Sequence, residues 1–204
     1  MTQPTKLIFL PGAGGNPAFW KPVSDLLNHS AQRCLLGWPG FGFVPPDPHI
    51  CGFQDLVNLV TNEIDQPTAL IAQSMGGVIA MQAALNRAEF VTHIILTVTS
   101  GGVDMSDLQA KDWRPEFLKS NPSVPQWFSD YTEDISACLP SIYAPVLLIW
   151  GDADPISPVG IGQRLNGLLP NSRMVVFADG EHDLANKLAT KVAPHIDEHL
   201  KMSS

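Results

Sequence analysis

Six short apolar runs punctuate the chain, at residues 7–10, 34–38, 69–72, 94–98, 146–150 and 174–177. Each is continuous rather than alternating, the pattern of strands buried on both faces. Between them the apolar period changes. Phe53, Leu56, Val57, Val60 and Ile64 fall on one helical face, as do Ile161, Leu165, Leu168 and Leu169. Leu184, Leu188, Val192 and Ile196 recur every fourth residue, and Pro194 predicts a kink or restart in that last helix. Strand alternating with helix predicts one α/β domain over residues 1–204: a mostly parallel sheet of about six strands with helices on both faces. Residues 101–144 break the alternation. They carry Trp113, Phe117, Trp127, Phe128 and Tyr131 among Pro115, Pro122, Pro125 and Pro140, with no strand run. This segment reads as a small lid or cap over the sheet edge, or as a surface loop whose aromatics pack down.

Composition narrows the class. An apolar fraction of 45% against 16% charged residues is the balance of a folded core, not of a disordered chain. The net charge is −8 with 12 Lys plus Arg, and no basic cluster is present to displace counterions from phosphates, which argues against nucleic acid as a partner. The most apolar stretch, residues 69–85, is interrupted by Gln73, Ser74, Gly76, Gly77 and Gln82, so no membrane span is expected. The first six residues have no apolar run after a basic segment, unlike a secretory signal, and a cytoplasmic protein is expected. Cys34, Cys51 and Cys138 are odd in number and match no disulfide or zinc spacing. They read as buried, inert thiols in a reducing compartment, with neither metal nor cofactor expected. The oligomeric state stays open.

Candidate chemistry begins with the segment 69–81, ALIAQSMGGVIAM. A strand ends near Gln73, a helix begins near Met75, and Ser74 occupies the turn. So sharp a turn needs small residues on either side, because backbone and helix approach closely there; Ala72 and Gly76 meet that need. The helix N-terminus aims free N–H groups and a positive dipole end at the hydroxyl. The bland alternative is a helix N-cap serine. A second strand breaks into a turn at 145–158, PVLLIWGDADPISP, which contains Asp152 and Asp154. These read either as turn formers or as the acid of a hydrolytic site. A third strand leads into 178–184, ADGEHDL, placing His182 just before the last helix. The other histidines, His29, His49, His93, His195 and His199, do not follow a strand end and read as surface or helix residues.

Position ties these segments together. In open parallel sheets, ligands bind outside the carboxyl ends of strands, and Ser74, Asp154 and His182 each follow a strand at that edge. The elbow and the order Ser–Asp–His resemble the α/β-hydrolase family, whose elbow is G-x-S-x-G; here Ala72 replaces the first glycine. The resemblance implies that Ser74 is the nucleophile, His182 the base and Asp154 the acid, with Asp152 as the neighbouring alternative. It further implies an oxyanion hole from the backbone N–H groups of Ala13 and Met75, in the run Pro11-Gly12-Ala13-Gly14-Gly15 where the family often has His-Gly. That run lacks G-x-G-x-x-G spacing and a P-loop lysine, so phosphate binding is not expected. Gly37-Trp-Pro-Gly-Phe-Gly resembles another family turn and reads as structural and pocket-rim. Gly12, Trp113, Trp127 and Phe128 are expected to line the substrate pocket. Family members commonly carry two strands before the one at Leu7, so a compact version is expected.

The implied activity is hydrolysis of a small to medium ester, thioester or lactone through an acyl-enzyme, with a small ester-like molecule as partner. Acyl transfer and cofactor-free perhydrolysis use the same triad, and a low-turnover ligand receptor keeps the same fold. All three remain open from sequence.

Overall fold

The computed structural model describes residues 3–42, 44–122 and 124–202. The apolar runs form six strands: β1 (Lys6–Leu10), β2 (Gln32–Leu35), β3 (Thr68–Gln73), β4 (Val91–Thr97), β5 (Val146–Gly151) and β6 (Ser172–Phe177). Their order is β2-β1-β3-β4-β5-β6, and every pairing is parallel. The four central strands are buried along their whole length, which explains why their runs are continuous. The two edge strands are only half covered.

Edge position also explains a difference from the sequence reading at β2. The ladder pairs Lys6 with Gln32 through Phe9 with Leu35, so two polar residues lie in the strand. The apolar residues 36–38 leave it. Leu36 N–H donates to Phe9 O, and Trp38 N–H turns away to Gly15 O.

The helices are α1 (Lys21–Leu26), α2 (Phe53–Glu63), α3 (Met75–Asn86), α4 (Arg114–Ser120), α5 (Gln126–Ser129), α6 (Val159–Leu168), α7 (Leu184–Lys187) and α8 (Ala189–Leu200). α1 packs with α7 and α8, while α2 packs along α3, and α6 lies on β5 and β6. Right-handed crossovers put the first group on one sheet face and the second on the other. α3 is buried on nearly every side because it is held between the sheet and α2. The last helix breaks at Leu188 and not at Pro194, which lies inside α8. Pro194 cannot donate to the carbonyl of Thr190, but both residues are exposed, so that carbonyl is not left in the core.

Within residues 101–144, α4, α5 and a 3-10 turn at Ser136–Ser141 are joined by irregular chain. Their aromatics pack downward. Phe128 is buried against Phe41, with ring centroids 4.4 Å apart, and Tyr131 stacks on Phe53 of α2 at 3.6 Å. The Tyr131 hydroxyl also accepts a hydrogen bond from Gln82 of α3.

Two readings are corrected here. Cys51 and Cys138 are exposed and Cys34 is half-buried, so the thiols are free but not core residues. His93 is neither a surface nor a helix residue: it points from the interior of β4 onto α8. His199 lies in α8, as a helix residue, but is buried; both residues are 1% exposed, with their rings edge to face at 5.4 Å. Among the described residues, no helix is long and apolar enough to cross a membrane.

The topology also sets where a site can form. β1 leads outward to β2, whereas β3 leads the other way to β4. The loops after β1 and β3 therefore diverge and open a crevice at the carboxyl ends of the strands.

Candidate active site

Ser74 stands in that crevice with φ 52° and ψ −125°, a backbone conformation that non-glycine residues rarely hold. Its neighbours over-determine it. Ser74 N–H donates to Thr97 O on β4, and Ser74 O accepts from Gly77 N–H and, at 2.5 Å, from the Thr99 hydroxyl. Gly76 is required two residues on: a Cβ there would overlap Pro11 O and lie 2.7 Å from Leu10 O. The N-cap reading of Ser74 fails, because its side chain makes no cap hydrogen bond to α3. Its Oγ instead lies 2.9 Å from His182 Nε2.

His182 Nδ1 lies 2.7 Å from Asp154 Oδ2. A carboxylate only accepts, so Nδ1 carries the proton and Nε2 is free to accept from the Ser74 hydroxyl. The Asp154 side chain is fully buried, and its second oxygen accepts from Ile156 N–H at 2.9 Å. Asp152 is engaged elsewhere: its Oδ1 accepts from Asp179 N–H at 2.7 Å. The two loops are laced by backbone bonds as well, from Ala153 N–H to Gly180 O and from Asp152 N–H to Phe177 O. Between them, the chain brings Ser74, His182 and Asp154 into one hydrogen-bonded line.

The loop after β1 completes the crevice. Among the described residues, Ala13 N–H and Met75 N–H have no hydrogen-bond acceptor within the chain. Trp38 of the Gly37–Gly42 turn donates its indole N–H to Gly12 O at 2.9 Å, which props this loop from behind. That turn supports the site and forms no part of the walls of either cavity at Ser74.

Those two cavities meet at Ser74 and His182 and share Lys111, Trp113 and Ile156. The first, of about 420 Å³, is walled by the loop after β1 together with Phe19, Trp113, Phe117 and Ile156. The second, of about 530 Å³, runs under Val98–Ser106 and Tyr131–Asp134. Of the four residues assigned to a substrate pocket, Gly12 and Trp113 line the crevice, but Trp127 and Phe128 do not. Phe128 is fully buried against Phe41, and Trp127 packs edge-on to both Phe41 and Phe128. Their aromatic character signalled burial without saying on which side of the segment.

Sequence reasoning missed Gln73. It is buried, lines the first cavity and donates from Nε2 to His182 O at 3.1 Å, tying the serine strand to the histidine loop. Adjacency to Ser74 was the only available signal. Tyr131, in the wall of the second cavity, has its phenol pushed up by burial and by the Glu133 charge beside it, so it stays protonated.

Comparison with known proteins agrees with this architecture. The profile of the alpha/beta hydrolase family matches residues 7–137, and that of the alpha/beta hydrolase fold matches residues 129–185. The chain belongs to the alpha/beta hydrolase family. A pimeloyl-[acyl-carrier protein] methyl ester esterase from Vibrio vulnificus is 20% identical, over 88% of this chain and 88% of its own. A thermophilic esterase from Thermogutta terrifontis superposes with a TM-score of 0.76 at 18% identity, covering 98% of this chain and 91% of its own. The meta-cleavage product hydrolase of Pseudomonas fluorescens IP01 gives 0.78 at 18%, with 98% and 91% covered. The two solved structures share the fold.

Proposed function

We propose that the protein is a serine esterase that hydrolyses a small to medium carboxylic ester through an acyl-enzyme. One observation carries the reading: the unbroken line from Ser74 Oγ through His182 to buried Asp154, anchored on a strained serine backbone. Esterases among both the sequence relatives and the fold neighbours support the same reaction class.

In this mechanism Ser74 Oγ attacks the ester carbonyl carbon while its proton passes to His182 Nε2. The carbonyl oxygen becomes an oxyanion and accepts hydrogen bonds from Ala13 N–H and Met75 N–H, which no acceptor among the described residues engages. Asp154 holds the Nδ1–H tautomer and stabilises the imidazolium. The leaving oxygen takes the Nε2 proton as the C–O bond breaks. Water, deprotonated by the same nitrogen, then attacks the acyl-enzyme and restores Ser74. The first cavity, walled by Phe19, Trp113 and Phe117, matches a small to medium acyl chain.

Fluorophosphonate labelling tests the nucleophile without knowledge of the substrate. Wild type should label at Ser74 and turn over p-nitrophenyl butanoate. Ser74→Ala should lose the label and about 10⁶ in kcat while melting as wild type does. Full esterase activity in Ser74→Ala would end the proposal.

A further inference from the structure

We propose that the second cavity at Ser74 is the leaving-group site, and that it takes an alcohol bearing a further hydrogen-bond donor and no negative charge. This assignment rests on the serine esterase reading above and extends it to the other half of the substrate.

The two cavities divide the reacting centre. An ester carbon bonded to Ser74 Oγ has its oxyanion directed at Ala13 and Met75, so acyl chain and leaving oxygen must point in different directions. The first cavity contains the loop after β1 and the rings of Phe19 and Phe117; it suits the acyl chain. Both cavities reach His182, which must protonate the leaving oxygen; once the acyl chain fills the first, the second, which contains nothing from that loop, is the direction left for the leaving oxygen. Its floor is apolar, at Val78 and Val98, but its rim is formed by Asp104, Glu133 and Asp134 from the two ends of the 101–144 segment.

Among the described residues, none of the three carboxylates forms an ion pair. Arg164, paired with Asp107 at 2.7 Å, lies near enough to offset Asp104 and Asp134 in part, and the cations in the cavity wall are already engaged: Lys111 with Glu116 at 3.0 Å and Arg114 with Asp112 at 3.3 Å. The backbone N–H and hydroxyl of Ser106 hold the Asp104 carboxyl below its ordinary value, and the Ser136 hydroxyl and N–H do the same for Asp134. Both stay ionised at neutral pH.

A separate observation also points to a ligand. Ser157 lines the same cavity and is only 2% exposed, and its Oγ has no hydrogen-bond partner among the described residues. A buried hydroxyl left unpaired is costly, and a polar group of the leaving alcohol would satisfy it. A hydroxyl or ammonium donor suits the carboxylate rim, while a carboxylate or phosphate on the leaving group would be repelled. The rim is exposed, so each charge contributes modestly, and three together suffice for roughly tenfold discrimination.

Four butanoate esters with leaving alcohols of similar size test this at low salt: 3,3-dimethylbutanol, 2-(dimethylamino)ethanol in its protonated form, glycerol and 3-hydroxypropanoate. The ammonium and glycerol esters should exceed the apolar 3,3-dimethylbutyl ester in kcat/KM. The anionic ester should be slowest, roughly tenfold or more below the ammonium ester. The ammonium advantage should shrink in about 0.5 M salt, and in Asp104→Asn or Glu133→Gln, which alter exposed side chains. The glycerol advantage should persist in salt and shrink in Ser157→Ala, which separates the two kinds of donor. Fluorophosphonate labelling of Ser74 runs alongside. An enzyme that labels and turns over p-nitrophenyl butanoate but prefers the apolar or anionic ester overturns the leaving-group assignment alone. Absence of both labelling and turnover overturns the esterase reading beneath it.

Discussion

Two aspartates stand two residues apart on the loop after β5, and their oxygens serve different partners. Asp154 has one oxygen on His182 and the other on Ile156 N–H, inside the protein; Asp152 reaches across to Asp179 N–H near the surface. An amide at 154 presents a donor or a weaker acceptor to His182 Nδ1 and no longer stabilises the imidazolium. Asp154→Asn is therefore expected to lower kcat by about 10⁴, the scale seen when a triad acid loses its charge. Asp152→Asn keeps an acceptor for Asp179 N–H and should stay within about fivefold of wild type, as surface changes usually do. Steady-state rates on p-nitrophenyl butanoate decide between them, and the reverse ranking would mean that the acid has been placed two residues off. Ser74, His182 and Asp154 could be found in the sequence because each follows an apolar strand at the same sheet edge. Gln73 and Thr99 could not, because their bonds to His182 O and Ser74 O depend on how separate loops meet. Trp127 and Phe128 were misplaced for a related reason: an aromatic side chain announces an apolar neighbour without naming it.

At the scale of elements, all six strands and the main helices could be read from periodicity, and the errors gathered where pairing overrides composition. β2 takes its bounds from its ladder with β1, and β4 starts at Val91, ahead of its apolar run, because Val91, Thr92 and His93 extend the strand. The glycines after β1 and β3 make the same point. In the sequence, Gly12, Gly14, Gly15, Gly76 and Gly77 look alike, yet the structure separates their duties. A Cβ on Gly76 would meet the backbone carbonyls of Leu10 and Pro11, whereas one on Gly14 meets nothing within 4 Å. Backbone cannot rotate aside as a side chain does. Gly76→Ala must therefore push the loop after β1 away from α3 and carry Ala13 N–H with it. The expected result is a loss of about 1–3 kcal/mol in stability, the usual cost of overpacking, together with reduced kcat. Gly14→Ala should stay within about 0.5 kcal/mol of wild type. Urea denaturation of the two variants measures the contrast, and equal stabilities would mean that the elbow and the β1 loop have more room than the structure gives them.

At the scale of the whole molecule, the C-terminal helix is fastened to the sheet by a pair of buried histidines, and that fastening makes stability depend on pH. His199 of α8 bonds through Nε2 to Pro145 O at 3.2 Å, and its Nδ1 has no partner among the described residues. His93 of β4 faces it, bonded through Nε2 to Met202 O beyond the end of α8. Burial first and then the His93 charge push His199 down to about 4, with Arg173 adding to them, while its bonds to the Pro145 and Ile94 backbone pull the other way; burial likewise lowers His93. The unfolded chain, with an ordinary histidine near ~6.5, binds a proton that the folded chain refuses. Stability therefore falls as the pH drops below about 6.5 and goes on falling until His199 itself protonates near 4. Between about pH 7 and pH 5 this one site removes ~2 kcal/mol, an order-of-magnitude figure from the linkage relation. Carboxylates add their own pH dependence, so the informative quantity is the difference from a variant that cannot titrate. His199→Gln keeps a side-chain N–H to offer Pro145 O. It should be less stable than wild type at pH 7, because Gln fills the His199 site less well, but its loss between pH 7 and pH 5 should be smaller by roughly that amount. Urea melts at the two pH values measure this. Parallel losses in wild type and variant would show that His199 is not the group whose protonation loosens the helix.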